Sequence, residues 1–233
     1  MVDLTTEMAG LWAALGPVPA HRGRVLQFVS AESGEGTSTV AREFSRLAAV
    51  RTQKPVWLVD GDLAQQGQLE AIKAQPDRFG RLADPVQASP NGSSFYAIAP
   101  HLKGRDGRPV APGRLLMAQS CLGGRLFVTR FRQEVLRAGQ RAEVIGSADY
   151  WTALRDHADM VIIDSPASRR SDTAITLAPY VDATIIVVAA ETTAAGEAVA
   201  LRDEIDSVGG AIAGVVMNRT GWSPPALLKR FTG

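Results

Sequence analysis

Residues 25–44 read VLQFVSAESGEGTSTVAREF, and the fold turns on them. Residues 25–30 are a short, mostly apolar run of strand length, and residues 31–36 carry two glycines. Val40, Phe44, Leu47 and Ala48 then recur at helical spacing. A strand, a glycine-bearing loop and a helix in that order aim loop amides and a helix N-terminus at one point, and the glycines let an anion come close to the backbone. Against the phosphate-loop pattern G-x-x-x-x-G-K-[ST], Gly36 is the second glycine and Ser38 the hydroxyl that would hold magnesium. Ala31 stands where the first glycine belongs, and Thr37 where the lysine belongs.

Working outward, residues 56–59 form a second buried strand that ends at Asp60, with Asp62 two positions on, and residues 160–163 form another that ends at Asp164. In a parallel sheet these carboxylates converge at the carboxyl edge of the strands, where ligands bind. With Ser38 they outline a magnesium site. Any one aspartate alone reads better as a helix cap or turn residue, and only the set points to chemistry. Further continuous β-rich runs at 184–188 and 212–217 flank a helix expected over 194–208. Strands are also expected at 95–99, 126–129 and 143–145, and helices at 6–16, near 131–138 and at 149–157. Apolar strands alternating with helices imply an α/β domain with a doubly wound, mostly parallel sheet in three α/β/α layers. The expected domain spans residues 24–222, with an irregular insertion at about 80–124. A docking helix and linker occupy 1–23, and a tail 223–233.

The 233 residues suffice for one such domain. Twenty-five Lys and Arg against 24 Asp and Glu give a net charge of +1, which removes the global electrostatic case for binding nucleic acid or a broadly anionic surface. One cysteine, Cys121, and three scattered histidines exclude an internal disulfide and cysteine-histidine zinc spacing. No apolar run approaches the ~20 residues of a membrane span. Asp3 and Glu7 stand where an export signal would be basic. A cytoplasmic protein with at most peripheral membrane contact is expected.

The string SAESGEGTSTVAREF resembles the Walker A motif of bacterial tyrosine kinases; VWLVDGDL resembles their second acidic motif and DMVIIDSPA their Walker B. SDTAITLAPYVDATIIVV and GAIAGVVMNR resemble later strands of the same kinases and of their MinD/ParA relatives, over roughly residues 24–220 with the middle third poorly matched. The resemblance implies a P-loop NTPase fold and ATP or ADP with magnesium at the loop. By match of motif, Gly34, Glu35, Gly36, Thr37, Ser38 and Thr39 belong to Walker A, and Asn218 resembles the base-contacting asparagine. Asp60, Asp62 and Asp164 take the catalytic positions, and Ser38, Asp60 and Asp164 those of the magnesium ligands. These kinases are cytoplasmic halves of polysaccharide co-polymerases, which govern capsule and exopolysaccharide export. A membrane co-polymerase subunit as partner, homo-oligomers, and a place at the inner face of the plasma membrane are therefore implied.

Three departures qualify this. A threonine hydroxyl at position 37 is shorter than lysine and neutral, so charge growing on a transferred phosphoryl loses its nearest compensation, a penalty of about 3 kcal/mol. Lysine is found only at Lys54, Lys73, Lys103 and Lys229, so none has shifted register within the loop. Tyr96, Tyr150 and Tyr180 are scattered rather than clustered at the C-terminus as a phosphorylation target, and the arginine-bearing helix used for ring assembly is not recognisable near residues 7–16. The expected protein is a degenerate nucleotide-binding member with weak or absent kinase activity, docking to an export complex. Arg169 and Arg170, close after Asp164, could lend the missing cation or form a solvated pair. Three alternatives stay open. One is a MinD/ParA-like positioning ATPase touching membrane through Leu227, Leu228, Lys229, Arg230 and Phe231. Another is a scaffold that binds no nucleotide. The third is an NAD-binding oxidoreductase, for which Gly34, Gly36 and Asp60 mimic the fingerprint while Thr39 takes the third glycine's place. Whether the arginine-rich segment 104–141 closes over the loop is left open as well.

Overall fold

The computed structural model describes residues 4–100, 112–190 and 195–219. In chain order the elements are α1 (Thr5–Leu15), β1 (Arg24–Val29), α2 (Thr37–Arg51), β2 (Val56–Asp60), α3 (Gln68–Lys73), α4 (Pro76–Phe79), β3 (Val86–Gln87), β4 (Tyr96–Ala99) and β5 (Leu116–Cys121). There follow β6 (Leu126–Phe131), β7 (Arg141–Val144), α5 (Ala148–His157), β8 (Met160–Asp164), α6 (Thr173–Leu177), β9 (Ala183–Ala189), α7 (Ala195–Ser207) and β10 (Ile212–Asn218). The expected tail 223–233 and residues His101 and Lys103 lie outside the described residues.

Eight strands form one sheet in the order β10-β9-β1-β8-β2-β6-β5-β3. The six from β10 to β6 run parallel, and β5 and β3 close that edge antiparallel. Alternation along the strands sends side chains to two cores, which is why the central strands are apolar at nearly every position. Leu26, Phe28, Leu58 and Ile162 face the layer built by α1, α2, α3 and α4. Val25, Val59, Val161 and Ile163 face α5 and the β4–β7 ribbon, while Val29 and Ile186 meet α6 and α7. The layers are therefore helix, sheet and helix, as the strand-helix alternation implies.

Helix α1 packs on α2 through buried Met8, with the Trp12 and Phe44 rings 6.3 Å apart. Its end is held by Arg24, whose guanidinium donates to the carbonyls of Leu15 (2.7 Å), Gly16 (3.3 Å) and Pro17 (2.6 Å). Helix α4 is held to α2 by the buried Glu43 carboxylate, which takes Arg78 on both oxygens at 2.8 and 2.6 Å.

Two expectations are corrected. No helix follows Phe131: strand β6 continues to that residue, paired opposite Leu116, and residues 133–135 make only one short 3-10 turn. Phe131 belongs to the strand's buried face, whereas Val135 is exposed and marks no helical core face. The insertion at 80–124 also holds sheet structure beyond the expected strand near 95–99, because β3 and β5 extend the main sheet.

Candidate functional site

Strand β1 sits between β8 and β9, so its carboxyl end opens where chain connections diverge to either side of the sheet, the usual place for a ligand crevice in such folds. The loop leaving it is shaped by two glycines with left-handed backbones, Gly34 (φ 88°) and Gly36 (φ 92°). At Gly36 a β-carbon would lie 2.0 Å from Asn218 Nδ2, so that close approach also requires glycine. Asn218, at the end of β10, donates from Nδ2 to the Glu35 carbonyl at 2.8 Å. The buried Glu35 carboxylate accepts from the Glu32 amide (2.9 Å) and the Ala189 amide (3.2 Å), lacing the loop to itself and to β9. Glu35 and Asn218 thus shape the loop from behind.

The amides of Gly34, Gly36, Thr37 and Ser38 donate to no acceptor among the described residues. They stand at the N-terminus of α2, a helix of 15 residues, where backbone dipoles favour an anion. Thr37 is buried, and its hydroxyl has no partner among the described residues; Ser38 is exposed.

The three aspartates differ in what they have free. Register places Asp60 and Asp164 side by side on β2 and β8. Asp60 accepts from the amides of Asp62 (3.2 Å), Gly67 (2.9 Å) and Gln68 (3.0 Å), which organises the turn into α3. Asp62 accepts from the amides of Ala64 (3.2 Å) and Gln65 (2.9 Å) and pairs with Arg170. Asp164 accepts from Gln68 Nε2 at 2.6 Å on one oxygen, while its other oxygen is buried without a partner among the described residues. Burial pushes both buried carboxyls above the usual carboxylate range. Asp164 adds to the rise at Asp60, where the three amide bonds oppose it; at Asp164 the bond from Gln68, the nearby Ser38 hydroxyl and the charge of Arg42 oppose it.

Both arginines after Asp164 are engaged by carboxylates. Arg169 pairs with Glu32 (2.6 Å) and Glu197 (2.9 Å), and Arg170 with Asp62. The cation that does act on Asp164 is Arg42, unnoticed in the sequence although four residues after Ser38 it shares that helical face. Gln68, whose Nε2 also donates to the Ser38 carbonyl at 2.8 Å, is the other residue sequence reasoning missed; nothing in its neighbours signals the turn that brings it inward.

Unpaired amides at a helix N-terminus fit a phosphate, and Ser38 with the open oxygen of Asp164 fits a magnesium ion in that phosphate's company. Among the described residues, no three His, Cys, Asp or Glu side chains form a metal cage of their own. Beyond Asp62 the crevice widens into a cleft of about 590 Å³ bordered by Arg170, Thr173 and, from β7, Glu143. Residues 142–144, just past the arginine-rich segment, thereby border the cleft, and residues 104–111 of that segment lie outside the described residues. Among the described residues no helix is long and apolar enough to cross a membrane.

No family model matches the sequence, and no curated protein matches it. Solved structures do. The kinase domain of Escherichia coli tyrosine kinase ETK aligns with a TM-score of 0.57 at 14% identity, covering 95% of this chain and 75% of that one. The chimerical protein CapA2B2 aligns at 0.61 and 18% identity, covering 94% and 86%. The ATP complex of a single-site variant of Cyanothece McdA aligns at 0.54 and 20% identity, covering 85% and 71%. At these identities the likeness speaks for architecture, and with the loop and sheet order already described it establishes that the chain has the P-loop NTPase fold of bacterial tyrosine kinase domains and of McdA.

Proposed function

We propose that this protein is a degenerate nucleotide-binding member of the bacterial tyrosine kinase group, in which the loop binds ATP or ADP while phosphoryl transfer is weak or absent. The observation that carries this reading is the loop itself: four amides without acceptors among the described residues, beside a threonine at the lysine position. The amides of Gly34, Gly36, Thr37 and Ser38 hold the phosphates, and Asn218 and Glu35 keep the loop in shape. Ser38 and Asp164 are the residues that would hold magnesium, which supplies charge compensation to the terminal phosphates when bound. With Thr37 neutral, ground-state binding is retained through the backbone and the loss falls on the transition state.

The tyrosines support the same reading. Tyr96 and Tyr150 are fully buried, with hydroxyls donating to the carbonyls of Pro112 (2.6 Å) and Ala88 (3.4 Å), and Tyr180 is half-buried. Phosphorylation of Tyr96 or Tyr150 would require local unfolding. We further propose that the chain works by docking to a membrane polysaccharide co-polymerase subunit, a reading supported by the resemblance of motifs and the shared fold.

Isothermal titration of the whole chain with ATP and with ADP tests the binding; a saturable heat is expected, and none would reduce the protein to a scaffold. Incubation with γ-labelled ATP and magnesium tests the chemistry. Little or no label on tyrosine is expected, and robust tyrosine phosphate would overturn the reading.

A further inference from the structure

Ser38 and Arg42 lie one turn apart on α2, so both side chains leave the same face. The Arg42 guanidinium donates to Gln68 Oε1 at 3.1 Å and to Thr39 Oγ1 at 3.5 Å. Gln68 in turn donates from Nε2 to Asp164 Oδ2 (2.6 Å) and to the Ser38 carbonyl (2.8 Å). A single relay therefore joins a cation, the open carboxylate and the first turn after the loop.

Arg42 stands apart from the other cations near the crevice. Arg169, Arg170, Arg46 and Arg78 are each paired with carboxylates. Arg42 makes no ion pair among the described residues, and its Nε is buried without a partner. Asp164 next to it has an oxygen in the same condition. A partly buried guanidinium and a buried carboxylate, each incompletely satisfied and joined through one amide side chain, make a polar cluster that a ligand would complete.

Resting on the nucleotide reading above, we infer that Arg42 is a positioning residue that supplies, on the carboxylate side of the loop, the positive charge Thr37 does not supply within it. A fixed cation acting on Asp164 lowers the attraction of that carboxylate for a divalent ion and compensates phosphate charge without one. Nucleotide binding in this protein accordingly depends little on magnesium.

Titration of ATP into the full chain, once in magnesium and once in EDTA, measures that dependence as a ratio of dissociation constants. The wild-type ratio is expected below about ten, and Arg42→Gln is expected to raise it by about tenfold by weakening the metal-free complex. Arg42→Lys restores the low ratio, which a purely structural role for the guanidinium would not do. A wild-type ratio above about ten, or an Arg42→Gln ratio equal to wild type, overturns the inference and leaves nucleotide binding standing. No binding in either buffer removes the nucleotide reading and this inference with it. If Arg42→Gln does not fold, the wild-type ratio decides alone.

Discussion

Gly36 joins two demands at one residue, a left-handed backbone and a side-chain-free approach to Asn218. Gly36→Ala is expected to lower stability by about 1–3 kcal/mol in urea denaturation. Adding Asn218→Ala should recover only the part due to the clash; full recovery would show that the backbone there is unstrained. Thr37→Lys tests the other side of the loop. It is expected to raise release of labelled phosphate from ATP by about a hundredfold, and an unchanged rate would place the deficiency elsewhere. Asp60 and Asp164 set a pH dependence. Their folded-state values lie above the unfolded ones, that of Asp60 rising to about 7, so the fold binds more protons than the unfolded chain from the ordinary carboxylate range up to that point. Stability conferred by these protons is complete at the acid end and lost as pH rises through neutrality. Asp164→Asn, neutral throughout, should flatten that decline and gain on the order of 1 kcal/mol at pH 8. A wild-type melting profile that instead rises across this window would contradict the assignment. At this scale the sequence was informative where spacing alone places a side chain, as for Ser38 and Asp164. It was silent for Gln68, whose position depends on a turn organised by a distant carboxylate.

The elements divide in the same way. Each parallel strand announces itself as an unbroken apolar run because both its faces are covered, and each was found within a residue or two of its expected span. Strand β5 was not legible: Leu116, Ala118 and Cys121 are buried, but Gln119 and Ser120 lie between them, and the result reads as loop composition. The spurious helix after Phe131 arose because the last residue of β6 and the partly exposed residues beyond it happen to fall at helical spacing. Contacts between elements carry their own expectation. Glu43 is buried under Arg78 and Arg46, so Glu43→Gln leaves guanidiniums without their counter-charge. A loss of about 2–3 kcal/mol is expected by chemical denaturation, with α4 released from α2. A loss within error would mean that the pairs are solvated in practice.

Across the whole molecule, the order of strands decides where chemistry can occur, since it brings the ends of β1, β2, β8 and β10 to one edge from four separate parts of the chain. Binding at that edge must stabilise every part of the cooperative unit. At a nucleotide concentration a hundred times the dissociation constant the gain is about 2.7 kcal/mol, which for a domain of this size raises the melting temperature by roughly 5–10 °C. Absence of any shift with saturating ATP would argue against a folded-state site. The inward-turned Glu35 carboxylate bears on how such binding proceeds. A cradle cross-braced by its own glutamate needs no rearrangement when an anion arrives, so nucleotide association should follow a single exponential whose rate climbs linearly with concentration, and Glu35→Ala should introduce a concentration-independent ordering phase.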